Sequence, residues 1–132
     1  MKNSHFLFLI VLCCSVLLDC NNGSKDSKEN SIDLMTAQTL GLAYLEEFKL
    51  DEAEKEFLKF IEMAPDQKLG YANLGLVYLR MGKYPEAEKQ LFEAIKIDSK
   101  DPDIRLILAT VYQMNDASDK AISTLKEALQ FA

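Results

Sequence analysis

Histidine and cysteine are the side chains that most often act as general bases, nucleophiles and metal ligands near neutral pH. This 132-residue chain has one histidine, His5, and three cysteines, Cys13, Cys14 and Cys20, all within its first twenty residues. From Asn21 to Ala132 there is no imidazole and no thiol. That stretch therefore has no zinc site, no Ser/His or Cys/His nucleophile pair and no disulfide framework. The carboxylates remain. Glu46–Glu47 and Glu52/Glu56 are close pairs, and glycoside hydrolysis uses two carboxylates flanking a sugar. Here they stand at ordinary helical spacing with nothing in the sequence to form a cleft around a sugar, so they read as a solvated face. Glu52/Lys55 and Glu86/Lys89 are i, i+3 neighbours, each expected to contribute ~0.2–0.5 kcal/mol to an exposed helix. No Gly-rich phosphate loop, Walker pattern or metal-ligand spacing is present. The expectation is a protein without catalytic residues, cofactor or metal. Its 15 basic and 21 acidic residues sum to −6, which argues against a nucleic-acid partner, since neutralising phosphates takes a basic face.

The cysteines belong to an address rather than a site. Lys2 supplies a positive start and Phe6 to Leu18 is an apolar run of thirteen residues. That length suits a secretory h-region (~7–15 residues) and falls short of the ~20 that span a membrane. From Asn21 to Asn30 there is no apolar side chain, so nothing there can offset ordering entropy by burial. Residues 20–30 are expected to be a flexible polar tether, reaching roughly 18 Å as a coil.

A cysteine at the seam between an apolar run and a polar tether resembles a bacterial lipoprotein signal. The resemblance implies cleavage after residue 19 and lipidation of Cys20, with Leu17 at the place where that family favours leucine. Asp19 departs from the pattern, which usually has Gly, Ala or Ser before the cysteine. The alternatives are an ordinary signal-peptidase site nearby or an uncleaved anchor. Acyl chains contribute ~0.8 kcal/mol per buried CH₂, so several anchor stably where one does not.

The elements that must position any function form a repeat. Leu40-Gly41-x₂-Tyr44 returns as Leu74-Gly75-x₂-Tyr78 and as Leu108-Ala109-x₂-Tyr112, a period of 34. Nine residues after each tyrosine stands Ala53, Ala87 or Ala121, and four further on Phe57, Leu91 or Leu125. Between the first two copies 11 of 34 positions are identical. Each copy carries two apolar stripes of helical period around a short break. Leu40, Ala43 and Tyr44 mark one face of the first helix; Ala53, Phe57, Phe60, Ile61 and Ala64 mark its partner. Gly82 is a helix stop, Pro85 suits a first turn, and Asp101-Pro102 reads as an N-cap followed by a first-turn proline. Gly41 and Gly75 lie mid-helix, where glycine costs ~1 kcal/mol against alanine. That cost makes sense where a partner helix crosses closely. These columns (Gly41, Tyr44, Ala53, Gly75, Tyr78, Ala87, Ala109, Tyr112 and Ala121) are read as structural.

The pattern resembles the tetratricopeptide repeat, W-x₂-L-G-x₂-Y, then A-x₃-F, then P. Its Trp column holds Ala37, Tyr71 and Arg105 here. The resemblance implies an all-α fold of three antiparallel helix-turn-helix hairpins stacked as a short right-handed solenoid. The domain would span residues 31–132, with repeats 34–67, 68–101 and 102–132. It also implies a concave groove lined by the first helix of each hairpin, at Met35, Gln38, Leu42 and Leu45; at Leu69, Ala72, Leu76 and Leu79; and at Asp103, Leu106, Thr110 and Met114. One branch of the family clamps a carboxylate tail with Lys, Arg and Asn. Of those places only Asn73 matches; Gln38, Leu42, Asp103 and Ile107 hold the others. The partner groove is therefore expected at Met35, Leu42, Leu45, Leu69, Leu76, Leu79 and Met114, taking an apolar helical or extended peptide. The alternative for any one leucine is plain core.

The resulting expectation is a protein–protein interaction adaptor, held to a membrane of the bacterial cell envelope by a lipid on Cys20. The rival is a homodimer. With no seventh helix after the last hairpin, some of Ile122, Leu125, Leu129 and Phe131 should lack cover.

Overall fold

Phe48, Gly82 and Asp116 stand one repeat apart and share a left-handed backbone, with φ of 61°, 72° and 57°. A residue in that conformation turns the chain out of a helix and lets the next amide return to the last turn. Lys49, Lys83 and Ala117 donate their amides to the carbonyls of Tyr44, Tyr78 and Tyr112, each at 2.9 Å. The same stop is thus built three times, although only Gly82 adopts it without strain from a Cβ.

The computed structural model describes residues 23–132; the expected signal peptide and Cys20 lie outside them. Six helices follow in order: α1 (Gly23–Glu46), α2 (Leu50–Met63), α3 (Lys68–Arg80), α4 (Tyr84–Ile97), α5 (Pro102–Met114) and α6 (Ser118–Leu129). No strand occurs among the described residues. Within 20–30, expected as an unstructured tether, Gly23–Asn30 forms the start of α1. Lys28, Glu29 and Asn30 are exposed there; lack of burial does not forbid a solvated helix of Ser, Lys and Glu. No described helix is long and apolar enough to cross a membrane.

Leu34–Ala132 forms one compact unit. Its helices pair as hairpins and the hairpins stack: α3 packs on α2 and α4, and α5 on α4 and α6. The crossings fall at the glycines. A Cβ on Gly41 would lie 2.8 Å from the Phe57 ring, and one on Gly75 would lie 2.7 Å from Leu91 Cγ. Ala53, Phe57, Leu74 and Val77 are buried together with Leu45, while Ala87, Leu91, Ala94, Leu108, Val111 and Tyr112 build the next layer. In both, a second helix of one hairpin is covered by the first helix of the following hairpin.

That rule corrects the expected face of α1. Leu74 and Leu108 are buried against the preceding α2 and α4, but Leu40 in the same column is exposed, as is Ala43. Among the described residues no helix precedes α1 to cover them. The buried face of α1 is instead Ala37, Gly41 and Leu45, with Tyr44 half-buried.

Polar bonds repeat with the same period. The Tyr78 hydroxyl donates to Glu54 Oε1 and the Tyr112 hydroxyl to Glu88 Oε1, each at 2.7 Å. Lys83 and Lys120 lie over those two rings, 5.6 and 5.1 Å from the centroids. The expected pairs Glu52/Lys55 and Glu86/Lys89 do not form. Instead Lys83 and Lys120 reach Glu54 and Glu88 of the previous hairpin at 4.0 Å. Asp101 caps α5 as expected, accepting from the amides of Asp103 (2.8 Å) and Ile104 (3.4 Å). Lys68 ties that cap to the start of α3, 2.6 Å from both Asp98 Oδ2 and Asp101 Oδ2. The pairing holds the lysine well above its usual range and both carboxyls below theirs.

Candidate partner-binding groove

The first helices of successive hairpins, α3 and α5, touch directly, so their outward stripes form one surface. At their C-terminal ends that surface opens into a cavity of about 490 Å³ walled by Leu79, Thr110 and Met114. Arg80, Met81 and Tyr84 complete it. The wall is mostly aliphatic and thioether, and the Thr110 hydroxyl already donates to Leu106 O at 2.9 Å. Such a cavity suits an apolar side chain, with methionines that adapt to an irregular shape.

The expected groove residues divide three ways. Met35, Leu42, Leu69 and Met114 are exposed, with Met114 at 58%. Leu76 and Leu79 are half-buried; each presents part of its side chain and packs the rest against a core layer. Leu45 does not belong to the groove. It is only 4% exposed and sits among Ala53, Phe57, Leu74 and Val77. The stripe passes from Leu42 to Leu45 within one turn, and tertiary packing turns the second leucine inward. Ala72 is buried for the same reason, whereas Asp103, Leu106 and Thr110 are exposed and Gln38 is half-buried.

Arg80 lines the cavity although nothing local in the sequence singles it out. Its Nη1 donates to Leu45 O at 2.9 Å, closing the last turn of α1, and its guanidinium lies 5.6 Å from the Phe48 ring centroid. It therefore joins the first two hairpins while lining the cavity. The available signal was its column, since Arg80 and Met114 are one repeat apart and both line the cavity. Among the described residues no group of three His, Cys, Asp or Glu is placed to hold a metal ion.

At the other end of the unit, Ile122, Leu125, Leu129 and Phe131 are all exposed, Leu129 at 74%. Leu125 occupies the column of the fully buried Phe57 and Leu91. Those two are covered by the hairpin that follows them.

Stacked helical hairpins with a tyrosine–glutamate link between neighbours define a helical-repeat interaction module. Residues 36–67 and 69–101 each match a family model described as tetratricopeptide repeat, and 102–132 folds as a third hairpin. The second such domain of Spaghetti (RPAP3), bound to the HSP90 peptide SRMEEVD, superposes with a TM-score of 0.73 at 21% identity, over 81% of this chain and 99% of that one. The TPR2B domain of yeast Sti1, from a complex with pHsp70, gives 0.73 at 23% identity over 76% and 80%. The Yersinia enterocolitica type III secretion translocator chaperone SycD gives 0.72 at 21% identity over 74% of each chain. At these identities the likeness is one of fold. No protein of curated function matches the sequence.

Proposed function

We propose that this protein is a membrane-anchored interaction adaptor of the bacterial cell envelope, which receives an apolar helical or extended segment of a partner protein along α1, α3 and α5. The observation that carries the reading is the cavity between Leu79, Thr110 and Met114, on two helices that also expose Leu69 and Leu106. Apolar anchors spaced along a helix or strand would fill such a row of sites. The solved Spaghetti domain is bound to the HSP90 peptide SRMEEVD and the Sti1 domain is in a complex with pHsp70, which supports a protein segment as the class of ligand. A lipid on Cys20 would confine the module to a membrane surface, and confinement raises the effective concentration of envelope-resident partners without new contacts.

The exposed set Ile122, Leu125, Leu129 and Phe131 favours a second reading, in which two copies pair through the last hairpin about a two-fold axis. In-cell photo-crosslinking separates the two. A crosslinking residue at Met114 should capture a foreign protein if the groove is the binding surface. Self-crosslinks from Leu129, with nothing captured at Met114, would leave the dimer standing and remove the adaptor. Metabolic labelling with palmitate, compared between the native chain and Cys20→Ser, tests the anchor separately.

A further inference from the structure

Arg105 stands where the preceding repeats have Tyr71 and Ala37, and it is 7% exposed. A buried guanidinium needs its five donors satisfied. Nη1 reaches Asp101 O at 3.2 Å, and the Phe131 ring lies 4.7 Å from the guanidinium carbon. Nε, however, is buried without a hydrogen-bond partner; the closest carboxylate, Glu127 Oε2, is 3.7 Å away, beyond hydrogen-bond length. Tyr71, by contrast, satisfies itself on Pro65 O at 3.0 Å.

Arg105 borders a cavity of about 280 Å³ among α4, α5 and α6, with Phe92, Ile95 and Leu108 as its apolar lining. The crevice is distinct from the groove, since no residue lines both cavities. It has a built-in comparison one repeat earlier. Where the second crevice has Ser123 and Thr124 on its wall, the corresponding positions are Lys89 and Gln90. The side chains at these two places are smaller in this crevice, and an arginine stands in the column of the tyrosine.

We propose that this crevice binds a carboxylate carrying a short apolar body. Arginine forks onto a carboxylate with two parallel hydrogen bonds, and the incoming group would supply the acceptor that Nε lacks. Glu127, whose side chain is 62% exposed, is free to swing outward and yield its place. Lys120 at the rim adds a second positive charge. The apolar lining takes the carbon body. A doubly charged phosphate fits less well, because Glu127 and Glu88 stand nearby on a chain of net charge −6. The volume is that of one side chain or one small acid. The shared chemistry has two sources: an acidic side chain of a bound protein, or a free branched-chain acid.

The test is a ¹H–¹⁵N NMR titration of the full-length chain in non-ionic micelles, following the Arg105 Nε–H resonance. The probes are isovalerate, its uncharged amide isovaleramide, and N-acetylglutamate methylamide as the acidic side chain of a peptide. Saturable downfield movement with a carboxylate and none with the amide is expected, and the tighter of the two carboxylates identifies the source. Thr124→Gln, which refills the space with the residue of the sister crevice, should abolish the response while amides around Gly41 and Gly82 stay in place. Arg105→Lys removes the followed resonance itself, so it is read from the backbone amides of Ser123 and Thr124, whose saturable movement with the carboxylates should be lost. Glu127→Gln removes the competing carboxylate and should tighten binding by up to about fivefold. Equal responses to acid and amide, no saturation with either acid, an unchanged response in Thr124→Gln, or weaker binding in Glu127→Gln would each overturn the proposal.

Discussion

Replacing Gly75 with alanine should destabilise the solenoid, and the sign of that effect should reverse when Leu91 is also truncated. The added Cβ would stand 2.7 Å from Leu91 Cγ, 2.9 Å from its Cδ2 and 3.5 Å from Ala87 O. Leu91 is fully buried, and the closest atom is its branch carbon, so the overlap is relieved only by moving the whole side chain or parting two helices. Overpacking of this kind costs about 1–3 kcal/mol. Alanine returns about 1 kcal/mol of helix propensity over glycine. The net is a loss of about 1 kcal/mol, a fall of roughly 0.3–1 M in the urea midpoint. Leu91→Ala alone should cost about 2–5 kcal/mol through the cavity it leaves. With that cavity present the Gly75→Ala methyl meets no branch carbon, and the propensity gain remains. In the Leu91→Ala background Gly75→Ala should therefore stabilise by about 1 kcal/mol, giving a coupling near 2 kcal/mol. Four urea titrations followed by far-UV circular dichroism measure the cycle. Additivity within about 0.5 kcal/mol would refute the claim that glycine is there for the helix crossing. Ala109 in the same column, opposite the exposed Leu125, shows that a Cβ is tolerated where the partner is less enclosed.

Three further outcomes are expected. Asp101→Ala removes the cap on Asp103 and Ile104 and should cost about 1 kcal/mol, whereas Asp101→Asn keeps the cap and should cost less; thermal melts distinguish them. Because Lys68 holds the carboxyls of Asp98 and Asp101 below the usual 3.8, their contribution is present above that pH and is lost as pH falls below it. The acid side of a stability–pH curve should accordingly flatten in Lys68→Met. Burial, and then the bond to Glu54, push the Tyr78 hydroxyl from 10.0 up to about 12. A raised pKa adds stability that is complete below 10 and declines as pH climbs toward 12. The phenolate absorbance of Tyr78 should rise late in the native protein, and Tyr78→Phe should reduce the loss of stability over that alkaline range.

Much of the fold is readable without coordinates because a period of 34 compares the chain with itself. Gly82 flags a left-handed stop at its position, and the column carries the same stop to Asp116 and to Phe48, where side-chain preference alone would not place it. Gly41 and Gly75 mark helix crossings for a reason visible in their cost. Asp101-Pro102 announces a cap that forms with the expected donors. The groove was less legible. Leu42 and Leu45 are both leucines on one amphipathic helix, and nothing local distinguishes the exposed one from the one covered by Leu74 and Val77 of the next hairpin. The charges were least legible of all. Glu52 and Glu86 stand correctly spaced for local pairs with Lys55 and Lys89 that do not form, while Lys83 and Lys120 reach Glu54 and Glu88 across a hairpin boundary.

The sequence by itself determined the six helices of the repeats, their stops, the crossings and the period that stacks them, since each depends on residues within a few turns or one repeat of each other. The removal of histidine and cysteine from everything after residue 20 was equally plain from the letters alone. Tertiary structure alone decided that Leu45 is core, that Leu40 is not, that Arg80 joins two hairpins and that Arg105 is buried with no hydrogen bond at Nε. Burial is a property of what the neighbouring hairpin places over a residue, and identical letters in one column meet different neighbours at the ends of a stack and in its middle.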